Sequence, residues 1–229
     1  GERRKCLRGQ LFQFEVPRSL AKCSTANLWN VQKLILASTS PARKKLLQDA
    51  GISFETISPG VDEDALVELL RPETAEDLTG LLAKAKAEAV AHQFSNSLVL
   101  GCDSALEFGG EILGKPLRPE VAIKRWQAMR GKSGVLHSGH HLIDTSSGMG
   151  LTLVSSTTVH FANLSDDQIT RYVGTGEPLQ VAGAFTIDGL GGAFVERIDG
   201  DYHTVVGLSL VSLRKLVTEL GHDYQSLWS

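Results

Sequence analysis

The chain has 229 residues, 42% of them hydrophobic and 21% charged, and a net charge of −3 at pH 7. That length supports a full core, as one large domain or as two lobes sharing a cleft, and the composition is ordinary for a soluble globular protein. No apolar run approaches the roughly 20 residues of a membrane-spanning helix, and the net negative charge argues against general nucleic-acid binding.

The charge is uneven. Residues 1–33 hold seven Lys/Arg against two Asp/Glu, while the remaining sequence is acidic. An acidic body that binds polyanions must concentrate its cations at one site or use a metal. Residues 1–32 have no sustained periodicity and no long apolar stretch, so they are expected to be an N-terminal extension outside the core fold, with residues 33–229 forming the folded domain. The three cysteines, Cys6, Cys23 and Cys102, are odd in number and lack metal-ligand spacing. That usage fits a reducing compartment and a cytoplasmic protein.

From residue 34 the pattern alternates between strand and helix. Residues 34–37 predict a strand, 41–50 a helix stopped by Gly51, and 52–57 a second strand. Thr74 and Asp77 resemble a cap for a helix over 75–94, with Leu78, Leu81, Leu82, Ala85 and Ala89 on one face. Residues 98–102 predict a buried strand, 107–113 a hairpin around Gly109-Gly110, and 119–130 a helix with Ala122, Trp126 and Met129 inward. A long hairpin is expected from 139–144 and 150–162. Ser165 and Gln168 form a capping box for the next helix. Short strands are expected near 183–187 and 193–198, and a last helix near 210–220. Hairpins interspersed with crossover helices predict an α/β fold with a mixed sheet.

The stretch Leu34-Ile-Leu-Ala-Ser-Thr-Ser-Pro-Ala-Arg43 carries the first chemistry. A strand runs into a polar loop and a helix start, where free backbone N–H groups and a partial positive charge suit phosphate. Ser38, Ser40 and Arg43 add side-chain donors. Ser40 and Pro41 are equally good helix punctuation, so the pattern by itself also reads as a cap. Asp103 follows the 98–102 strand, a place that suits metal binding or proton abstraction, and also a turn. Asp62-Glu63-Asp64 offers clustered oxygens of the kind Mg²⁺ takes, or a solvated acidic loop. Lys86 lies on the 75–94 helix, and Lys115 is fixed between Gly114 and Pro116. The run Asp188-Gly189-Leu190-Gly191-Gly192 lacks dinucleotide or P-loop spacing and reads as a connection between strands. His137, His140 and His141 have a spacing that binds zinc, without a fourth ligand to support it.

Taken together these residues resemble the Maf family of nucleoside triphosphate pyrophosphatases, over residues 33–220. The matching blocks are Ala37-Ser38-Thr39-Ser40-Pro41-Ala42-Arg43, Val61-Asp62-Glu63, Leu82-Ala83 with Lys86-Ala87, Gly101-Cys102-Asp103, Gly114-Lys115-Pro116, Gly176-Glu177-Pro178, Ala182-Gly183-Ala184-Phe185 and Val205-Val206-Gly207-Leu208. The resemblance implies an elongated, two-lobed α/β fold with a central cleft, cleavage of a nucleoside triphosphate between its α and β phosphates, and commonly a homodimer. It implies a divalent cation, Mg²⁺ ahead of Mn²⁺, on Glu63 and Asp103. Asp103 matches the water-activating carboxylate, and Ser38, Ser40, Arg43, Lys86 and Lys115 match phosphate-binding positions.

The specificity positions differ from the named subgroups. Ala42 stands where members acting on thymidine and uridine triphosphates carry Arg, and members acting on 7-methylguanosine triphosphate carry Trp. Ser104 replaces their Thr or Gln, and Asp188 their Gln or Glu. The resemblance therefore points to a noncanonical or modified nucleotide without naming its base. Two other readings stand beside it. One is a nucleotide-binding regulator of septum formation. The other is the related inosine triphosphate pyrophosphatase family, against which the Ser-x-Ser-Pro opening argues.

Overall fold

The computed structural model describes residues 33–229; the expectations for residues 1–32, Cys6 and Cys23 lie outside the described residues. The strands are β1 (Lys33–Ala37), β2 (Phe54–Ile57), β3 (Ser97–Phe108), β4 (Glu111–Leu113), β5 (Ser133–Asp144), β6 (Met149–Phe161) and β7 (Val195–Asp199). The helices are α1 (Pro41–Asp49), α2 (Glu63–Leu70), α3 (Ala75–Ala91), α4 (Pro119–Met129), α5 (Asp166–Gly174), α6 (Tyr202–Val206) and α7 (Leu210–Glu219). The strands form one mixed sheet in the order β2-β1-β3-β5-β6-β7, with β4 also paired to β3. No helix among the described residues is long and apolar enough to cross a membrane.

The sheet has a gap, and the gap makes the site. β5 pairs with one edge of β3 from Leu98 to Glu107. On the other edge, β1 runs parallel to β3 and stops at the Ala37–Gly101 pair. β4 joins the same edge antiparallel, from Leu106 to Phe108. Residues 102–105 of β3 are left without a strand partner there. The loop after β1 enters this notch from one end. β4 runs antiparallel, so its continuation, Gly114-Lys115, leads back along it from the other.

Of three apolar clusters, one packs Ile35, Ala37 and Val99 against Ala87 and Val90 of α3, and the other two sit at the two ends of the long strands. One gathers Leu34, Leu36, Leu47, Leu98, Leu100, Leu142, Leu208, Leu213 and Leu216 beneath α1 and α7. The other surrounds Trp126, whose indole packs edge-on against Phe161 and Tyr172 and donates to the Ala184 carbonyl at 2.7 Å. Between them lies a polar belt of Ser104, Ser138, His140 and Ser155. α6 is stitched to it by the Ser138 hydroxyl donating to the Thr204 carbonyl (2.8 Å) and by Ser155 Oγ meeting Thr204 Oγ1 (2.8 Å).

The strand pleat settles the three histidines. His137 and His141 lie on one face of β5 and His140 on the other, because successive side chains alternate. They do not form a shared zinc site, and no group of three or more His, Cys, Asp or Glu suited to a metal occurs among the described residues. His140 is a core histidine: its Nδ1 donates to the Leu153 carbonyl (3.2 Å) and its Nε2 accepts from the Ser209 N–H (2.8 Å). Burial lowers its pKa to about 4.

An unfolded histidine titrates near 6.5, so between those values the unfolded chain binds a proton that the folded chain refuses. Stability from this residue is intact above pH 6.5 and falls as the pH drops toward 4, by roughly 3 kcal/mol in all. Urea unfolding from pH 7 to 4.5 is expected to show that slope in wild type and a flatter one in His140→Gln. Equal slopes would place the proton uptake elsewhere.

Several elements depart from the sequence reading. β3 does not end at Cys102 but continues to Phe108, so Asp103 lies within a strand, at the end of its pairing with β1. Asp62-Glu63-Asp64, read as a metal-binding or solvated acidic loop, instead caps and opens α2, with Asp62 Oδ1 accepting from the Ala65 N–H at 3.0 Å. Residues 183–187 are not a strand: Gly183 and Ala184 have φ of 71° and 63°, which break extended pairing, and Ala182–Ala184 is a 3₁₀ turn. α6 was not foreseen, being one short turn capped by Asp201.

Candidate active site

β3 carries the site on both of its faces. Asp103 points to the α3 side, as Gly101 does two residues earlier. Gly101 lets the helix backbone come close, since a Cβ there would lie 2.0 Å from the Ala83 carbonyl oxygen. Lys86 follows Ala83 by three residues on the same helix face. Its ammonium donates to Asp103 Oδ1 at 2.6 Å and pairs with Glu63 Oε1 at 2.8 Å. Glu63 is the first residue of α2 and is about half exposed, whereas the Lys86 and Asp103 side chains are 8% and 13% exposed.

Burial pushes the Asp103 carboxyl above its usual range, against the opposing pull of Lys86 and Arg43, and Glu63 adds to the rise. A carboxylate so placed is a better proton acceptor than a solvated one. One oxygen of Glu63 and one of Asp103 remain beyond those that hold Lys86. Two carboxylates converging on one ammonium are a donor set of the kind Mg²⁺ takes together with waters and phosphate oxygens, and the set is too sparse for a structural zinc.

On the opposite face, Ser104 Oγ accepts from Arg43 Nη2 at 3.0 Å and lies 2.8 Å from Ser138 Oγ. Arg43 is in the first turn of α1. Ser40 caps that helix, its Oγ accepting from the Arg43 N–H at 3.4 Å, with Pro41 at the first helical position. The Ser38-Thr39-Ser40 loop thus sits at a helix N-terminus over the notch, where both the cap and the anion reading of the motif apply. Cys102, behind it, is a fully buried thiol whose pKa burial raises to about 11, which leaves it inert.

Ser38, Ser40, Arg43, Glu63, Lys86, Asp103 and Ser104 therefore lie around one stretch of β3. Lys115 is exposed in the connection that follows β4, and no contact of its side chain joins the cluster. Ala42 is half-buried on α1, one turn before Lys45. The Lys45 pKa is raised mainly by its hydrogen bond to Asp49 and to a lesser degree by Asp188. Tyr202 is raised by burial and then by Asp188. Asp188 is therefore within electrostatic reach of Lys45 on α1 and of Tyr202 at the start of α6.

The sequence reading missed what holds Asp188 there. Glu177 accepts from Tyr172 Oη (3.0 Å), from the Thr186 hydroxyl, and from the N–H groups of Leu190 and Gly191 (both 2.9 Å). Burial raises its pKa, but these bonds outweigh that and hold it below the ordinary carboxylate range. The glycines nearby serve this packing: a Cβ on Gly191 would lie 2.3 Å from Tyr172 Oη. The run is thus a packed 3₁₀ turn, Leu190–Phe194, rather than a free connection. A Glu five residues past a buried Tyr was the available signal.

Fold and site together define an α/β protein with a notched mixed sheet, whose notch gathers two carboxylates, a buried lysine and a helix N-terminus. Comparison with known proteins is consistent with this. The Maf-like protein family model matches residues 33–220. A nucleoside triphosphate pyrophosphatase of Salinispora tropica is 56% identical over 202 residues, covering 86% of this chain and 88% of that protein. Proteins of the same name from Streptomyces coelicolor and Synechocystis sp. are 46% and 48% identical, covering 86% and 85% of this chain and 95% and 97% of theirs. The chain belongs to the Maf family.

Proposed function

We propose that the protein hydrolyses nucleoside triphosphates between the α and β phosphates, releasing a nucleoside monophosphate and pyrophosphate. The observation that carries this is the Glu63–Lys86–Asp103 constellation beside a helix N-terminus, in a chain whose close relatives bear that activity in their names.

In this reading Asp103 accepts a proton from the attacking water, which its raised pKa favours. Glu63 and Asp103 would hold Mg²⁺, with Mn²⁺ as a substitute, and the cation supplies charge stabilisation on the phosphates. Lys86 bridges the two carboxylates and opposes the rise that burial imposes on the Asp103 carboxyl. Ser38, Ser40 and the N-terminus of α1 receive phosphate oxygens, with Arg43 beside them, and Lys115 approaches from the other end of the notch. Residues 33–229 form the catalytic body. The resemblance extends the proposal to a cytoplasmic homodimer, which light scattering and cell fractionation test.

Incubation with a panel of nucleoside triphosphates is expected to yield pyrophosphate with Mg²⁺ present and none after EDTA. Turnover that survives EDTA would remove the metal from the account, and a panel with no pyrophosphate at all would remove the enzyme.

The base is read by Ala42, Ser104 and Asp188. Ala42 leaves volume, and the Asp188 carboxylate offers hydrogen-bond acceptors. That pairing favours bases with N–H groups on their pairing edge. Asp188→Asn is expected to change the order of kcat/KM among triphosphates more than the rate on the best one, because Asn offers both a donor and an acceptor where the carboxylate offers acceptors alone. A uniformly scaled order would take Asp188 out of the base pocket.

A further inference from the structure

Arg43 is fixed by the chain itself. Its Nε donates to the Gly207 carbonyl (2.8 Å), Nη1 to the Cys102 carbonyl (2.9 Å) and to Ser38 Oγ (3.4 Å), and Nη2 to Ser104 Oγ (3.0 Å). A guanidinium has five N–H donors. Four therefore end on protein acceptors, two of them backbone carbonyls that no side-chain rotation can remove. One fork thereby ties together the loop after β1, the strand β3 and the turn between α6 and α7.

The consequence falls on Ser38. Its Oγ accepts from Arg43 and also from the Ser40 N–H at 3.2 Å. A hydroxyl has two lone pairs and one hydrogen. With both lone pairs occupied, Ser38 faces the notch with its hydrogen, as a donor with one available role. The other end of the fork is set as firmly. Ser138 gives its hydrogen to the Thr204 carbonyl, so the hydrogen between Ser104 and Ser138 comes from Ser104. Ser104 is left with acceptor capacity only.

We infer that Arg43 is a positioning residue: its main action is to lock the Ser38 hydroxyl as a preset donor to a phosphate oxygen, with direct charge on the substrate secondary. Lysine cannot replace it, since an ammonium has three donors on one atom and cannot span these four acceptors. The inference rests on the triphosphate reading above.

A double-mutant cycle tests it, on kcat/KM for the best triphosphate and on affinity for its non-hydrolysable α,β-methylene analogue. Arg43→Lys is expected to lower both by about 100-fold in the wild-type background and by less than about threefold in a Ser38→Ala background. Equal factors in the two backgrounds overturn the positioning role and make Arg43 a direct phosphate ligand. A general loss of structure would not reproduce the coupling, and circular dichroism checks the fold of each variant. If Arg43→Lys does not fold, Ser104→Ala takes its place, read on affinity for inorganic tripolyphosphate, which carries no base for Ser104 to contact. It frees one corner of the same fork, with an expected loss of about fivefold that likewise vanishes with Ser38→Ala. A wild-type protein that binds the analogue but makes no pyrophosphate overturns the enzymatic reading alone, and the cycle is then decided on affinity. A wild-type protein that does not bind the analogue overturns both.

Discussion

Asp103→Asn is expected to lower kcat by about a thousandfold or more while leaving the protein folded. Asn keeps the side-chain volume and loses the charge that, in the proposed mechanism, would both accept the proton and help hold the cation. The fold tolerates the change because Lys86 retains Glu63 at 2.8 Å, and the ionised Asp103 is itself disfavoured by burial. The same residue sets the acid limb of the wild-type profile. Activity requires the carboxylate, and burial raises its pKa. So kcat/KM rises with pH through that pKa and is lost below it, at a pH above the ordinary aspartate range. Lys86→Gln removes the strongest opposing charge and is expected to move the limb further upward. Stopped assays across pH, with thermal unfolding of each variant, measure both effects. Near-wild-type turnover in Asp103→Asn would show the assignment to be wrong and would favour a nucleotide-binding regulator.

Gly101→Ala is expected to destabilise the fold by at least about 3 kcal/mol. Its Cβ would lie 2.0 Å from the Ala83 carbonyl oxygen and 2.7 Å from the Ala87 nitrogen, both backbone atoms of α3. Backbone cannot rotate aside, so the helix must back away from the sheet. A Cβ on Gly139, which pairs with Asp103 on the neighbouring strand, would likewise lie 2.2 Å from the Thr79 carbonyl oxygen of the same helix. Retreat of α3 also carries Lys86 away from Asp103, so the fraction that stays folded is expected to lose activity too. Urea unfolding and specific activity of the folded fraction check the pair. A change within about 0.5 kcal/mol of wild type, the range of an ordinary surface substitution, would mean that helix and sheet are not in close register.

These two glycines show where the sequence could and could not be read. The Ser38–Arg43 loop was legible because it is local: a strand, a cap and a helix start fall within ten residues. Asp103 was legible as a carboxylate at a transition, although the transition is the end of β1 pairing rather than the end of β3. α2 was legible in principle, since Asp62 is a good cap and Leu66, Leu69 and Leu70 fall at i, i+3 and i+4, but the acidic run Asp62-Glu63-Asp64 reads as a loop and obscures the helix start. The partners of Arg43 were beyond reach for another reason. Gly207 is 164 residues away and contributes only a carbonyl, which every residue has. The hub at Glu177 was hidden likewise, since half of its partners are backbone N–H groups. What the sequence shows is chemistry carried by side chains close in the chain, and what it hides is chemistry completed by distant backbone.

The central claim is cleavage between the α and β phosphates at this notch. ³¹P nuclear magnetic resonance of a reaction with the best triphosphate and Mg²⁺ reads it most directly. The account predicts pyrophosphate and nucleoside monophosphate appearing in equal amounts from the first turnovers, and neither product from Asp103→Asn. Inorganic phosphate appearing with nucleoside diphosphate would contradict it.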